Sequence, residues 1–256
     1  MQKMGVINLT PDSFHAPSRA QGREALLRRC ADLIARGCGI IDLGAVSTRP
    51  GAEDVSEEEE WRRLEPALKP VADLLSATAT ADPGRAAACG ESPLPPVSVD
   101  TVRSGIVRRV FDRIGPFIVN DISAGEDDPR MLAVVAELGL PFIAMHKRGN
   151  PRSMDGLTDY PEGVTEAVMQ YFREFGAKAS EAGIKDWILD PGFGFAKTSA
   201  QNWELLHRLG EFKVFGRPVL AGVADKRFTK DPLFNGGDLL HAERLAAARA
   251  DILRIH

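Results

Sequence analysis

The run of residues that ends in Asp190 has the composition of a strand that brings a carboxylate to the edge of a sheet. Residues 187–190 are apolar up to the acid, and Pro191 then prevents the hydrogen-bonded ladder from continuing. Gly192 and Gly194 allow the backbone to turn tightly or to lie against a ligand. On its own, this pattern is also typical of an ordinary strand followed by an Asp-Pro-Gly turn. The functional interpretation therefore depends on whether the pattern recurs.

An apolar run that ends in polar residues or a turn occurs eight times along the chain. The eight runs are 5–8, 40–44, 97–100, 117–121, 142–146, 187–190, 219–222 and 252–256. Amphipathic segments such as 23–36 and 160–182 lie between them and have the 3.6-residue period of helices. Strands that alternate with helices predict a parallel sheet, and eight such units predict an α/β fold of the (β/α)8 TIM barrel type.

The carboxyl ends of the strands in such a barrel form one face, and active sites lie there. The polar residues predicted to converge at this face are Asn8, Asp100, Asn120, Asp190 and Arg254. The carboxamide of Asn8 suits a hard cation or phosphate oxygens, and capping of a turn is the alternative role.

The loops supply further candidate groups. Ser47, Thr48 and Arg49 put two hydroxyls and a bidentate donor into one loop, which suits an anion such as a diphosphate, although solvated loop arginines are more common. Met145 is interpreted as barrel packing. Phe195 lies in the glycine turn, where it either packs in the core or holds a flat ring.

Other segments are assigned no chemical role. His146 is interpreted as a hydrogen-bonded histidine at a strand end. Residues 56–60 predict a serine N-cap and the acidic first turn of a helix. Residues 77–96 are rich in small and turn-forming residues and predict a loop or an insertion, and residues 103–113 predict a helix.

Composition limits the class of protein. The chain has 256 residues, about the size of one barrel, so a single domain over residues 1–256 is expected. A net charge of −4 carries no sign of nucleic-acid or anionic-membrane binding. Cys30, Cys38 and Cys89 fit no metal-ligand spacing, and their odd number favours a reducing compartment. No leader and no apolar run near 18 residues is present, so neither secretion nor membrane spanning is expected.

Taken together, the motifs resemble those of the dihydropteroate synthase family. The segments that carry the resemblance are 4–14 (MGVINLTPDSF), 47–52 (STRPGA), 98–101 (SVDT), 118–121 (IVND), 145–151 (MHKRGNP), 189–198 (LDPGFGFAKT) and 253–256 (LRIH). The resemblance implies a cytoplasmic, homodimeric enzyme of folate synthesis and a sulfonamide target. Such an enzyme uses Mg2+ and condenses 6-hydroxymethyl-7,8-dihydropterin diphosphate with p-aminobenzoate, releasing diphosphate.

The resemblance also implies the roles of individual residues. The pterin is expected to contact Asp100, Asn120, Asp190, Met145 and Lys226. The p-aminobenzoate is expected to contact Phe14, Thr48, Pro50, Phe195 and Arg227. The leaving diphosphate is expected to be held by Asn8 with Mg2+ and by Arg49, Arg254 and His256. Arg49, Lys226, Arg254 and His256 are the expected catalytic residues. No general base is expected, because the arylamine is already a nucleophile and attacks a pterin methylene cation.

The sequence departs from the family pattern at several positions. Residues 224–227 are Ala-Asp-Lys-Arg where the family commonly has Ser-Arg-Lys-Ser, so only Lys226 is retained. Asp225 brings a negative charge near the diphosphate, and Arg227 either pairs with the p-aminobenzoate carboxylate or fills its slot. Residues 15–18 (HAPS) replace a common Ser-Asp-Gly-Gly, and Ala45-Val46 replaces a common Gly-Glu.

These departures leave two alternatives to an active synthase. One is a catalytically impaired pterin-binding paralogue. The other is a methyltetrahydrofolate-binding methyl-transfer domain. Arg49, Arg254 and His256 argue against it, because a methyl donor carries no diphosphate.

The sequence also ends at His256 without the helix that should cover the eighth strand. Because an exposed apolar strand flank is unfavourable, we expect either a barrel whose last helix is missing from this sequence, which is favoured, or a partner that covers the surface.

Overall fold

Eight parallel strands form the centre of the molecule in the computed structural model, which describes residues 1–9, 19–46, 55–81, 96–149, 154–224, 226–233 and 239–256. The strands are β1 (Gln2–Asn8), β2 (Cys38–Gly44), β3 (Val97–Asp100), β4 (Ile118–Asp121), β5 (Phe142–Met145), β6 (Trp187–Asp190), β7 (Leu220–Ala221) and β8 (Ile252–Ile255). Each of the eight overlaps a run that the sequence predicts as a strand, and β1 and β2 begin earlier than predicted, at Gln2 and Cys38.

The strands close on themselves. Their order is β6-β5-β4-β3-β2-β1-β8-β7, and every neighbouring pair is parallel. An additional parallel bridge joins Leu189 in β6 to Val219, which precedes β7. The Leu189 N–H also donates to the carbonyl oxygen of Pro218 at 2.9 Å. These contacts link the two ends of the strand order, and the predicted (β/α)8 barrel is confirmed.

Helices lie between the strands and cover the barrel. Within the described part of the chain the α-helices are α1 (Arg19–Ala35), α2 (Glu57–Ala81), α3 (Ser104–Ile114), α4 (Met131–Leu138), α5 (Val164–Ala182), α6 (Ser199–Arg208) and α7 (Leu239–Arg249). Short 3-10 helices span Met154–Gly156, Leu209–Phe215 and Arg227–Lys230. Among the residues described, no helix has both the length and the apolar composition needed to cross a membrane.

Two predictions about helices need correction. The expected loop at residues 77–96 is wrong for residues 77–81, which are the last turn of α2. Three of these five residues are alanine, which has the highest helix propensity and offsets the weaker propensity of the two threonines. Residues 82–95 lie outside the described residues. The helix expected at 160–182 begins at Val164, after Gly163, whose φ of +91° is not helical.

The interior of the barrel is filled by one apolar layer. Because strand side chains alternate with a period of two, every second residue points inward. The residues of this layer are Met4, Ile40, Ile118, Ile143, Ile188, Leu220 and Ile252, all of them buried. A larger apolar cluster lies between the outer strand faces and the helices. Two residues further along, the same inward face carries the polar side chains of the site.

Candidate functional site

A layer of polar side chains lies two residues after the apolar layer along the strands. Asp42 lies two residues after Ile40, Asn120 two after Ile118, and Asp190 two after Ile188. Asp100 and Arg254 occupy the equivalent inward positions of β3 and β8, and Met145 that of β5. Strand register then sets neighbours: Asp100 pairs with Asn120, and Met145 pairs with Asp190. The barrel therefore brings these side chains to one end, as the sequence predicts for Asp100, Asn120, Asp190 and Arg254.

Asp42 is the centre of the polar contacts in this layer. Its Oδ2 accepts from Arg254 Nη2 at 2.8 Å, from Arg254 Nε at 3.1 Å and from Asn120 Nδ2 at 3.1 Å. Its Oδ1 accepts from the hydroxyl of Ser98 at 2.8 Å. The side chain is fully buried. A buried carboxylate of this kind requires partners, and here it has a guanidinium, an amide and a hydroxyl.

Asp42 is not among the site residues that the sequence predicts. It lies inside a run identified as a strand, which ends at Gly44, and no motif drew attention to the acid. The available signal was its parity, because Asp42 follows Ile40 by two residues and must share its inward direction.

The acids of the site are held in an environment that disfavours their charge. Burial, followed by the negative charge of Asp42, raises the pKa of Asp100 to about 7, while Arg254 acts in the opposite direction. Arg254 Nη2 lies 3.5 Å from Asp100 Oδ2. Burial also raises the pKa of Asp190, whose Oδ1 accepts from the Gly192 N–H at 2.8 Å. Arg254, Lys226 and the further cation Lys197 act against that increase.

Lys226 faces these acids from the loop after β7. Burial, with a contribution from the charge of Arg254, lowers the pKa of Lys226 to about 8, and Asp190 and Asp100 oppose the decrease. Its Nζ lies 4.8 Å from the ring centroid of Phe195, so a cation–π contact joins the lysine to the turn after β6. The adjacent Arg227 is exposed and begins the 3-10 helix that ends at Lys230.

Asn8 is the last residue of β1, and His256 follows the end of β8. Asn8 is exposed at the end of β1, and its Oδ1 lies 3.7 Å from the position that a Cβ on Gly44 would occupy. Asp100 Oδ2 lies 3.8 Å from that same position, so both side chains approach the end of β2. His256 is exposed, and its backbone oxygen accepts from Arg36 Nη1 at 2.8 Å.

Several predicted site residues lie outside the described residues. These are Phe14, Thr48, Arg49 and Pro50, together with Asp225. Their assignment remains a prediction. Among the described residues, no group of three or more His, Cys, Asp or Glu side chains is arranged to hold a metal ion.

One acid in the first turn of α2 behaves differently from its neighbours. Glu60 is 1% exposed and pairs with Arg103, which follows the end of β3 and also donates to the backbone oxygen of Val55. The predicted N-cap is present, since Ser56 Oγ accepts from the Glu59 N–H at 3.2 Å. Glu60 therefore anchors α2 to the start of α3 rather than serving only the helix dipole.

Comparisons with known proteins place this geometry in context. Residues 4–256 match the sequence model of a family described as pterin binding enzyme. A dihydropteroate synthase of Synechocystis sp. is 36% identical over 264 residues, which cover 99% of this chain and 84% of that protein. Dihydropteroate synthase of Xanthomonas albilineans with 4-aminobenzoic acid superposes with a TM-score of 0.76 at 32% identity, over 100% of this chain and 87% of that one. A Yersinia pestis dihydropteroate synthase complex with a sulfonamide drug superposes with a TM-score of 0.78 at 30% identity, over 100% and 88% of the two chains.

Proposed function

This chain belongs to the pterin-binding enzyme family, and we infer that it acts as a dihydropteroate synthase of folate biosynthesis. It is a transferase that joins 6-hydroxymethyl-7,8-dihydropterin diphosphate to p-aminobenzoate and releases diphosphate. The observation that carries this inference is the shared position of Asp100, Asn120 and Asp190 beside Lys226 and Arg254 at one end of the barrel.

The acceptors of the site match the donors of a dihydropterin. The ring offers a 2-amino group and ring N–H groups, for which carboxylate and carboxamide oxygens are the fitting partners. We assign this contact to Asp100, Asn120 and Asp190. The buried Met145 supplies an apolar wall, and Lys226 polarises the 4-oxo and N5 side of the ring.

Departure of the diphosphate is the step that needs electrostatic help. Charge develops on the leaving oxygen, and a preorganised cation stabilises that charge in the transition state. In Arg254, Nε and Nη2 are held by Asp42, so the guanidinium has a defined orientation before substrate binds. The pterin methylene cation that results is attacked by the arylamine of p-aminobenzoate, and no general base is required.

We also propose that Mg2+ is bound with the substrate. Asn8 supplies a hard oxygen ligand at the open end of the barrel, next to Asp100, which fits a cation that keeps waters and substrate phosphates as its other ligands. When bound, the ion would neutralise charge on the diphosphate. Arg49 and His256 remain proposed partners of the same anion.

The p-aminobenzoate site is proposed at the Phe195 and Arg227 side of Lys226, with Phe14, Thr48 and Pro50 as further walls. Phe195 lies against Lys226, and Arg227 is exposed beside it. The exposure of the Arg227 side chain supports a role in pairing with the arylamine carboxylate over one in filling the slot. Because sulfonamide drugs bind a related enzyme, we expect competition between a sulfonamide and p-aminobenzoate.

We propose that the protein is a single-domain, cytoplasmic homodimer. A single domain over residues 1–256 is supported by the family match to residues 4–256. A cytoplasmic location is proposed from the resemblance to the family. A homodimer follows from the resemblance to the family, and sedimentation velocity would test it.

Two alternatives are distinguished by one experiment. Purified protein is supplied with the pterin diphosphate, p-aminobenzoate and Mg2+, and diphosphate release is measured beside pterin binding by calorimetry. Arylamine-dependent release is the expected result. Pterin binding without release would instead identify the impaired paralogue, and methyl transfer from methyltetrahydrofolate would identify the methyl-transfer domain.

A further inference from the structure

A buried lysine lies directly behind the site. Lys197 is 9% exposed and precedes the N-cap of α6. Its Nζ lies 3.0 Å from His146 Nδ1, 2.9 Å from the carbonyl oxygen of Gly192 and 3.0 Å from that of Phe195. An ammonium group has three N–H donors, and these three partners account for all of them. The position is therefore built around this amine, since burying it without partners would be strongly unfavourable.

Two of the contacts control the turn after β6. The carbonyl oxygen of Gly192 accepts from Lys197 Nζ. The N–H of the same residue donates to Asp190 Oδ1 at 2.8 Å. The Phe195 carbonyl oxygen also binds Lys197, and the Phe195 ring lies beneath Lys226. One amine thus reaches the backbone on both sides of this turn.

The third contact joins the turn to the neighbouring strand. His146 directly follows β5, and its N–H donates to the carbonyl oxygen of Asp190 at 2.9 Å. Gly192 lies so close to His146 that a Cβ at Gly192 would collide with the His146 carbonyl oxygen. Lys197 therefore ties the end of β5 and the turn after β6 into one unit.

We propose that Lys197 is a positioning residue that orients two substrate-binding groups at once, the Asp190 carboxylate for the pterin and the Phe195 ring for p-aminobenzoate. The proposal rests on the proposed function, because it uses the substrates assigned there. Lys197 itself touches neither substrate in this proposal and acts through the Gly192 and Phe195 carbonyl groups.

The arrangement tolerates a change in the protonation of the lysine. Burial lowers the pKa of Lys197 to about 7; the charge of Asp190 opposes this, and those of Lys226 and Arg148 add to it. Burial and the Lys197 charge lower the pKa of His146, so its imidazole is neutral. A cationic lysine donates to His146 Nδ1, whereas a neutral lysine accepts from the other tautomer and still donates to both carbonyl groups. The turn stays held in either state.

Lys197→Met removes the three donors with a side chain of similar length. We expect the Kd of pterin diphosphate, measured by calorimetry, and the KM of p-aminobenzoate each to rise about tenfold or more, as loss of a positioning contact of this type implies. A core variant on the outer helix α4, Val135→Ala, serves as a control for lost stability. Lys178→Met on the exposed face of α5 controls for lost charge.

A second pair of variants tests the same link from the β5 side. His146→Asn keeps an acceptor near the Nδ1 position, and His146→Leu removes it. We expect Asn to retain most of the affinity that Leu loses, and this comparison applies even if Lys197→Met does not fold. Wild-type Kd and KM in folded Lys197→Met, or equal effects of Asn and Leu, would overturn the proposal. A wild-type protein without turnover or pterin binding would overturn the proposed function instead.

Discussion

At the scale of single residues, Asp42 links the orientation of Arg254 to the protonation of Asp100. It holds Arg254 through two N–H groups, and its charge is one cause of the raised pKa of Asp100. The same carboxylate therefore orients the guanidinium that we propose holds the leaving diphosphate, and it contributes to the raised pKa of Asp100, which is about 7.

Replacing Asp42 by asparagine should shift the titration of Asp100. The raised pKa means that Asp100 loses its charge as the pH falls through about 7. Without the Asp42 charge, and with Arg254 released toward Asp100, the pKa of Asp100 falls, so binding of a diphosphate-free dihydropterin should persist to lower pH. Calorimetric titrations across the acidic range measure this change. Asp73→Asn, which removes an exposed ion pair with Lys69 on α2, is the control, and an unchanged acid limb in Asp42→Asn would contradict the coupling.

Lys226 should produce the alkaline limit of activity. Burial lowers the pKa of Lys226 to about 8, so the cation is present below that pH and is lost as the pH rises through it. We expect kcat/KM, which reports the free enzyme, to fall above an apparent pKa near 8. Lys226→Arg keeps its charge at high pH and should remove this alkaline limb. A limb that stays at the same pH in that variant would assign it to another group.

At the scale of elements, the turn after β6 combines tight backbone packing with side-chain capping. Asn202 in α6 accepts from the Gly194 N–H at 2.8 Å, and Thr198 forms a capping box with Gln201. Gly192 and Gly194 have φ values of +70° and +81°, which favour glycine. The turn is consequently held from the helix, from the neighbouring strand and by Lys197.

Gly192→Ala should therefore be far more damaging than another glycine substitution at positive φ. An alanine there adds a collision with the His146 backbone to the cost of its left-handed conformation, which is about 1–2 kcal/mol. Gly216→Ala is a matched control, since Gly216 has a φ of +61° and open space around it. Urea unfolding should show the larger loss in Gly192→Ala, together with loss of pterin binding. Equal losses in the two variants would mean that the turn can move away from β5.

At the scale of the whole molecule, the barrel separates stability from chemistry along its axis. One layer of inward side chains is apolar, and the next layer is polar. Strand geometry makes this possible, because a step of two residues along any strand keeps the side chain on the inward face and moves it along the barrel. The site therefore lies against a packed apolar layer rather than over an open channel.

Ile188→Ala tests how much the packing of this apolar layer contributes to stability. Ile188 is 2% exposed, and truncation of a buried isoleucine costs about 2–5 kcal/mol because a cavity remains. For a chain of this size, thermal unfolding should occur roughly 2–4 °C lower for each kcal/mol lost. Val214→Ala, at a side chain that is 73% exposed, should stay within about 0.5 kcal/mol of wild type. Calorimetric melting measures both, and a small effect at Ile188 would show that the interior layer readjusts.

The sequence by itself determined the eight strands, the inward direction of Asp100, Asn120 and Asp190, and the family. It could do so because strand periodicity and local motifs are properties of neighbouring residues. Its errors were local as well, as at residues 77–81, where small residues were taken for a loop and the chain is helical.

Only the tertiary structure decided which groups hold one another. Arg254 and Asp42 are 212 positions apart in the chain, and their contact exists because β8 and β2 flank β1. The burial of Lys197 against His146 likewise depends on how closely the turn after β6 approaches β5. Distances and burial between distant segments follow from closure of the whole barrel, and no local pattern in the chain encodes them.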